Sequence, residues 1–245
     1  MDKVNKKLIT LAEVKVNKEI KALVDTANKN LEVLGFTEHG LRHVSYVSKT
    51  TANILRALGY DERTAELGAI TGWIHDIGNA INRENHGLTG ALLSYDILAR
   101  MGMEPSEVTQ IVASIGNHEE QIGTPINTVS AALTIADKSD AHRSRVGRRT
   151  VNDIHGRVNL SILKNYITVD KDKKVIKLFI YMDTKVSDVM EFLEIYMTRM
   201  RLCESAAELL GCKFELIINK TIINRPHQSP EADKMDKGER NVSDV

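Results

Sequence analysis

Apolar residues recur at steps of four and three between residues 4 and 34, with Ile20, Val24, Ala27, Leu31 and Leu34 on one stripe, the spacing of an amphipathic helix. Such a stripe has to be covered. Packing on the segment that follows is the favoured reading, and a dimer contact is the alternative. From Thr37 to about Gly147 the pattern is helix after helix. Asp61 reads as the N-cap of a helix running to His75, with Gly78 just beyond; Pro105 suits the first turn of a helix ending near His118, and Asn127 can cap the next. After about residue 165 the period changes. The run "YITVDKDKKVIKLFIYMD" holds two β-rich stretches around a charged turn, which predicts a hairpin. A helix over roughly 187–210 follows, with Val186, Val189, Met190, Leu193, Met197 and Met200 at helical spacing and Gly211 where a C-terminal cap belongs. "CKFELIINK" reads as a third strand. The expectation is a mainly α protein: an N-terminal helix in 1–36, a helical domain in 37–160, a small α+β unit of ββαβ order in 161–222, and a disordered polar tail in 223–245.

Composition narrows the function classes. The 245 residues carry 33 basic and 33 acidic side chains and only 4% aromatics, with no basic excess of the kind that marks a nucleic-acid surface. Nucleic acid is therefore not an expected partner. The two cysteines, Cys203 and Cys212, stand far from the histidines and lack CxxC spacing, so they read as reduced core thiols. No apolar run approaches the roughly 18 residues of a membrane span, and the charged N-terminus does not look like a signal peptide. A cytoplasmic protein without membrane association is expected.

The chemistry lies in "GWIHDIGNAINRENHG", residues 72–87, and in what recurs around it. Six of the eight histidines fall between residues 39 and 142. His43 shares a stripe with Val47, Ile54 and Leu58; His86 lies above Gly90, Leu93 and Ile97; His118 continues Val108, Ile111 and Ile115; Asp137 continues Val129 and Leu133. Each of these polar groups points inward. An unpaired buried carboxylate costs on the order of several kcal/mol, and no single lysine or arginine is placed to supply its partner. One or two metal ions would satisfy Asp76, Asp137 and the imidazoles together, since this donor set suits Fe, Mn, Co, Ni or Zn. Any one of these histidines alone reads more simply as a hydrogen-bonded core residue.

His43, the His75-Asp76 doublet and Asp137 resemble the H…HD…D signature of the HD-domain metal-dependent phosphohydrolase superfamily, and His86 with His118 matches the order H…HD…H…H…D of its two-metal subgroup. The resemblance covers about 37–149. It implies a bundle of five or more helices around two divalent transition-metal ions. His43, His75 and Asp137 would hold one ion and His86 and His118 the other, with Asp76 as the catalytic bridge; a hydroxide shared by the ions would attack a phosphoester or phosphoanhydride. A small phosphorylated substrate, a nucleotide before others, is the implied partner.

Beyond the ligands, Glu119 reads as a residue that orients a ligand or the attacking water, and Lys138, Arg145 and Arg148 as cations for the substrate's phosphate. His39 reads as a solvated helix-start histidine before it reads as a ligand or as a donor to a ligand. His142, His155 and His227 read as structural. Subfamily motifs are mostly missing. "NHEEQIGTP" has Asn117 and Thr124 where HD-GYP cyclic-dinucleotide phosphodiesterases carry histidine and tyrosine, and Asn79-Ala80 stands where alarmone hydrolases carry an acidic pair. Two other readings stay open: a di-iron oxygenase on the same six ligands, and a nucleotide-binding sensor without turnover. A homodimer through the first helix or the ββαβ unit also stays open.

Overall fold

In a computed structural model of the chain, residues 8–147 and 153–224 are described. Asn17 interrupts the first apolar stripe. Its backbone is extended and its side chain accepts from the N–H groups of Glu19 and Ile20, so it caps a second helix. The single helix expected from the periodicity is thus two: α1 (Leu11–Val16), opened by a capping box between Thr10 and Glu13, and α2 (Lys18–Val33). Leu34 lies past the end of α2 and is exposed, whereas Ile20, Val24, Ala27 and Leu31 are buried.

The helical core continues as expected through α3 (Leu41–Leu58), α4 (Glu62–Ile74), α5 (His86–Arg100), α6 (Pro105–Gly116) and α7 (Thr128–Lys138). Asp61 caps α4, Pro105 opens α6, and Asn127 with Ser130 forms a capping box on α7. Every residue of α7 from Val129 to Ala136 is buried, which marks it as the central helix. Helix α8 (Ile154–Ser161) runs without a linker into β1 (Ile162–Asp170), which pairs antiparallel with β2 (Val175–Met182). Helix α9 (Val189–Leu209) then crosses over to β3 (Lys213–Ile218), parallel to β2. A two-residue strand, β4 (Thr221–Ile222), was not anticipated and completes a mixed sheet of order β1-β2-β3-β4.

Two apolar clusters form the interior. One joins α1 and α2 to α4, α5 and α6 through residues such as Val24, Ile70, Ile97 and Ile111. The other joins α3 and α7 to the sheet and α9 through Leu55, Leu133, Ile180 and Phe192. The first helices therefore pack on the helical core, and the sheet unit shares its core with α3 and α7. On α9 the buried face is Phe192, Tyr196, Met200, Cys203, Ala206 and Ala207, while Met190 and Met197 face solvent. The methionine stripe expected from spacing is displaced because small residues and a cysteine fill the contact. Cys203 and Cys212 are both buried and free. Ile223 and Asn224 are still tied in: Asn224 Oδ1 accepts from the Leu216 N–H at 2.6 Å. The rest of the expected tail, with His227, lies outside the described residues, as does Arg148. Among the described residues, no helix is long and apolar enough to cross a membrane.

Candidate metal centre

Helix ends deliver the six predicted ligands to one point. His43 comes from the first turn of α3, His75 caps the C-terminus of α4, Asp76 follows it, His86 opens α5, His118 follows α6, and Asp137 sits in the last turn of α7. Close backbone approach makes this possible. A Cβ on Gly72 would stand 2.8 Å from the Ser48 backbone of α3, and one on Gly78 would stand 2.0 Å from the His86 carbonyl. Glycine at these positions lets α3 and α5 close on the doublet from two sides. Helix α2 braces the same turn, with Asn30 Nδ2 donating to the carbonyls of Asn79 and Ala80 at 3.2 and 3.0 Å.

Asp76 faces two ways. Its Oδ2 lies 3.6 Å from His43 Nε2 and 3.4 Å from His75 Nε2. Its Oδ1 lies 3.3 Å from His86 Nε2 and 3.8 Å from His118 Nε2. Asp137 Oδ1 joins the first group, 3.3 Å from His43 Nε2 and 3.7 Å from His75 Nε2. The ligand-type atoms of three overlapping triads, His43-His75-Asp76, His75-His118-Asp137 and Asp76-His86-His118, each lie within 4.8 Å of one another. Protein ligands at about 2.0–2.2 Å from one ion stand roughly 3–3.5 Å apart, so these separations suit metal binding.

The tautomers strengthen the case. His75 Nδ1 donates to the Gly72 carbonyl at 3.0 Å, His86 Nδ1 to the Arg83 carbonyl at 3.1 Å, and His118 Nδ1 to the Ile115 carbonyl at 2.6 Å. His43 Nδ1 donates to Asp140 Oδ2 at 2.7 Å. With all four Nδ1 atoms carrying the proton, the Nε2 lone pairs meet head to head, 3.4 Å apart for His43 and His75 and 3.2 Å apart for His86 and His118. Two carboxylates share this space. A buried cluster made only of acceptors repels itself unless cations enter it, either metal ions or extra protons. Metal-free, the protein holds protons there: burial pushes the His86 imidazole down, but hydrogen bonds to Asp76 and Glu119 carry it up to about 9. Burial likewise works against the charge of Asp76, yet His75, His118 and His86 hold its carboxyl well below the usual range.

Around the ligands the structure places groups that the sequence pattern did not single out. Asp140, wholly buried, accepts from His43 and takes a two-pronged contact from Arg42, 3.2 and 2.6 Å. Asn79 Nδ2 donates to Asp76 Oδ1 at 3.1 Å. An acid one turn after Asp137 was the available signal for Asp140; nothing in spacing marks Asn79. Glu119 is buried and contacts His86 Nδ1 at 3.2 Å and the Gly87 N–H at 2.5 Å. His39 is less solvated than a free helix-start residue. It is half-buried, its ring 5.3 Å from that of His43, and burial with the nearby Arg145 charge lowers its pKa well below the ordinary value.

A cavity of about 280 Å³ opens over the cluster, walled on one side by Phe36, His39 and Arg83 and on the other by His155, Tyr196 and Arg199 from α8 and α9. His155, read as structural, is thus on the cavity wall, and the sheet unit contributes to the site. Lys138 and Arg145 also line it, but both are engaged. Lys138 Nζ lies 2.8 Å from Asp137 Oδ2 and 2.8 Å from Glu120 Oε2, and Glu120 accepts from Arg199 Nε at 3.0 Å. Arg145 donates to the carbonyls of Asp140 and Glu38 at 2.6 and 3.0 Å, which anchors the segment after α7.

The residue chemistry defines the class as far as a buried histidine–aspartate cluster able to bind metal. No family model matches the chain. It is similar to an uncharacterized protein, MJ1020, of Methanocaldococcus jannaschii, at 23% identity over 133 residues, or 46% of this chain and 51% of that protein. The chain thus spans about half the length of that relative.

Proposed function

We propose that the chain is an HD-type metal-dependent phosphohydrolase that holds two divalent transition-metal ions between its helices and cleaves a phosphoester or phosphoanhydride of a small, nucleotide-like substrate. The observation that carries this reading is the acceptor-only cluster divided by Asp76, with one carboxylate oxygen turned to His43 and His75 and the other to His86 and His118. Two ions held by His43, His75, Asp76, His86, His118 and Asp137 would supply a water of lowered pKa and polarisation of a phosphoryl oxygen.

The chain's own residues set the stage for that chemistry. Asp140 and three backbone carbonyls fix which histidine nitrogen faces the centre. Glu119, beside His86 and hydrogen-bonded to the start of α5, is placed to orient that imidazole. Lys138 neutralises the second oxygen of Asp137, leaving the first for the cluster. Of the four cations that line the cavity beside five carboxylates, Arg83 has no carboxylate at ion-pair distance among the described residues, which favours a phosphorylated ligand on its side.

The test is metal analysis of the purified protein followed by a panel of phosphomonoesters, phosphodiesters and nucleoside polyphosphates with Mn²⁺, Fe²⁺, Co²⁺, Ni²⁺ and Zn²⁺. Release of phosphate or a nucleotide with at least one metal supports the reading. Oxygen consumption by an iron-loaded protein that hydrolyses nothing in the panel would replace it with the oxygenase alternative.

A further inference from the structure

Four full cations line the cavity over the cluster: Arg83, Lys138, Arg145 and Arg199. Three have carboxylates within ion-pair distance. Lys138 lies between Asp137 and Glu120, Arg199 bonds Glu120, and Arg145 has Asp140 Oδ2 at 3.8 Å. Arg83 is different: among the described residues it has no carboxylate partner. Its Nη1 donates to Asn79 Oδ1 at 3.3 Å, and its guanidinium carbon lies 5.2 Å from the centre of the Phe36 ring. The same Nη1 stands 3.4 and 3.3 Å from the two ring nitrogens of His86. Near-equal distances put it over the face of that imidazole, since a place in the ring plane would press it against the carbon between the nitrogens.

The turn that places Arg83 also sets His86. Asn85 adopts a left-handed conformation, φ 57°, and α5 starts at the next residue. The Arg83 carbonyl accepts from His86 Nδ1 while the Arg83 side chain covers that ring, so one residue fixes both the imidazole and the cation above it. Once His86 is neutral, as it is when bound to a metal, the arrangement holds a guanidinium between uncharged partners with no carboxylate at ion-pair distance among the described residues, at the wall of a cavity. A rigid fork of this kind is suited to two oxygens of a tetrahedral or planar anion.

We propose that Arg83 is the anion-recognition residue of the cavity, taking non-bridging oxygens of a phosphoryl group seated over the His86 side of the cluster, and that Lys138 and Arg145 act instead as internal partners of Asp137 and Asp140. This rests on the phosphohydrolase reading and adds to it the residue that meets the substrate's charge. The segment between the doublet and His86 thereby has a second role besides carrying ligands.

The experiment uses the full chain with Arg83→Ala and Arg83→Lys variants. Each protein is loaded with Mn²⁺, its bound metal is counted, binding of inorganic phosphate is followed by calorimetry, and p-nitrophenyl phosphate turnover is measured. Metal content should be the same in all three proteins. Phosphate should bind about 10-fold or more weakly to Arg83→Ala, the loss expected for a charge-assisted hydrogen-bond pair, with Arg83→Lys in between. Phosphate affinity in Arg83→Ala within twofold of the native value overturns the inference, as does a native protein that binds metal but no phosphate. A native protein that binds phosphate through Arg83 yet hydrolyses no ester upholds the anion site and overturns the proposed reaction instead.

Discussion

Among single residues, Asp76 and Asp140 do different work with the same functional group. Asp76 is nearly enclosed by four imidazole Nε2 atoms, so its removal takes away the carboxylate that meets both halves of the cluster with separate oxygens. Asp76→Ala should abolish metal retention and turnover while far-UV circular dichroism stays native; His86→Ala should remove mainly one equivalent of metal. Asp140 acts through His43. Asp140→Asn keeps the shape but weakens the hold on the His43 Nδ1 proton and leaves Arg42 less compensated. Metal affinity should fall about 10- to 100-fold, as for other groups that orient ligands, measured by competition with a chromophoric chelator. The six clustered residues could be read from sequence because several histidines and aspartates fall on inward-facing apolar stripes at once, although each alone reads as a core residue. Asp140 had one weak signal, an acid one turn after Asp137; Arg83, Glu120 and Arg199 had none, because each looks like an ordinary surface charge until the fold brings it to the cavity.

At the scale of elements, the segments with strong local signals were the legible ones. Helices α4, α6 and α7 begin where Asp61, Pro105 and Asn127 mark them, because Asp61 and Asn127 accept from otherwise unpaired backbone N–H groups and Pro105 removes one such group, whatever the tertiary setting. Two failures show where locality ends. Apolar spacing runs on through Asn17, so periodicity alone could not see that its side chain starts a new helix. On α9 the contact with the core is made by Phe192, Cys203 and Ala207, and small residues carry little weight in a hydrophobic pattern. The glycines belong to this scale too. Gly78→Ala would force α5 away from the doublet, since the new methyl would meet the His86 carbonyl and the Gly90 amide. The cost should be about 3 kcal/mol or more, at the upper end for overpacking, read as a drop in the urea midpoint, with loss of the metal site in the fraction that still folds.

For the whole molecule, stability and site are linked through protons. Burial opposes the charge of Glu120, but Lys138 and Arg199 hold its carboxyl down at about 2. A folded pKa below the unfolded one means that the unfolded chain binds more protons in that window. Glu120 therefore contributes stability above about pH 4.5 that is lost as the pH falls towards 2. His86 has the opposite sign. Raised to about 9 in the metal-free protein, it contributes stability that is complete below about pH 6.5 and is lost as pH rises through 9. Thermal melts of metal-free protein should thus decline on both flanks. Metal-loaded protein should keep its alkaline flank, because an ion replaces the proton between the imidazoles.

The coupling of α9 to the cluster also belongs to this scale: Arg199, Glu120, Lys138 and Asp137 form an alternating chain of charges from the sheet unit to the histidine–aspartate cluster. Arg199→Ala should leave Glu120 and Lys138 in place but loosen that wall of the cavity. A modest loss of metal affinity, about 2- to 5-fold, is expected from one partly buried pair. The same chelator competition measures it.

The central claim is that the facing imidazoles and the two-way Asp76 form a seat for a pair of cations. Counting the metal bound per chain after anaerobic loading and removal of excess, by elemental mass spectrometry on the native protein beside Asp76→Ala, addresses it directly. The account requires two equivalents on the native chain and a near-complete loss in the variant. A native chain that emerges empty, or a variant that retains as much metal as the native one, would contradict it.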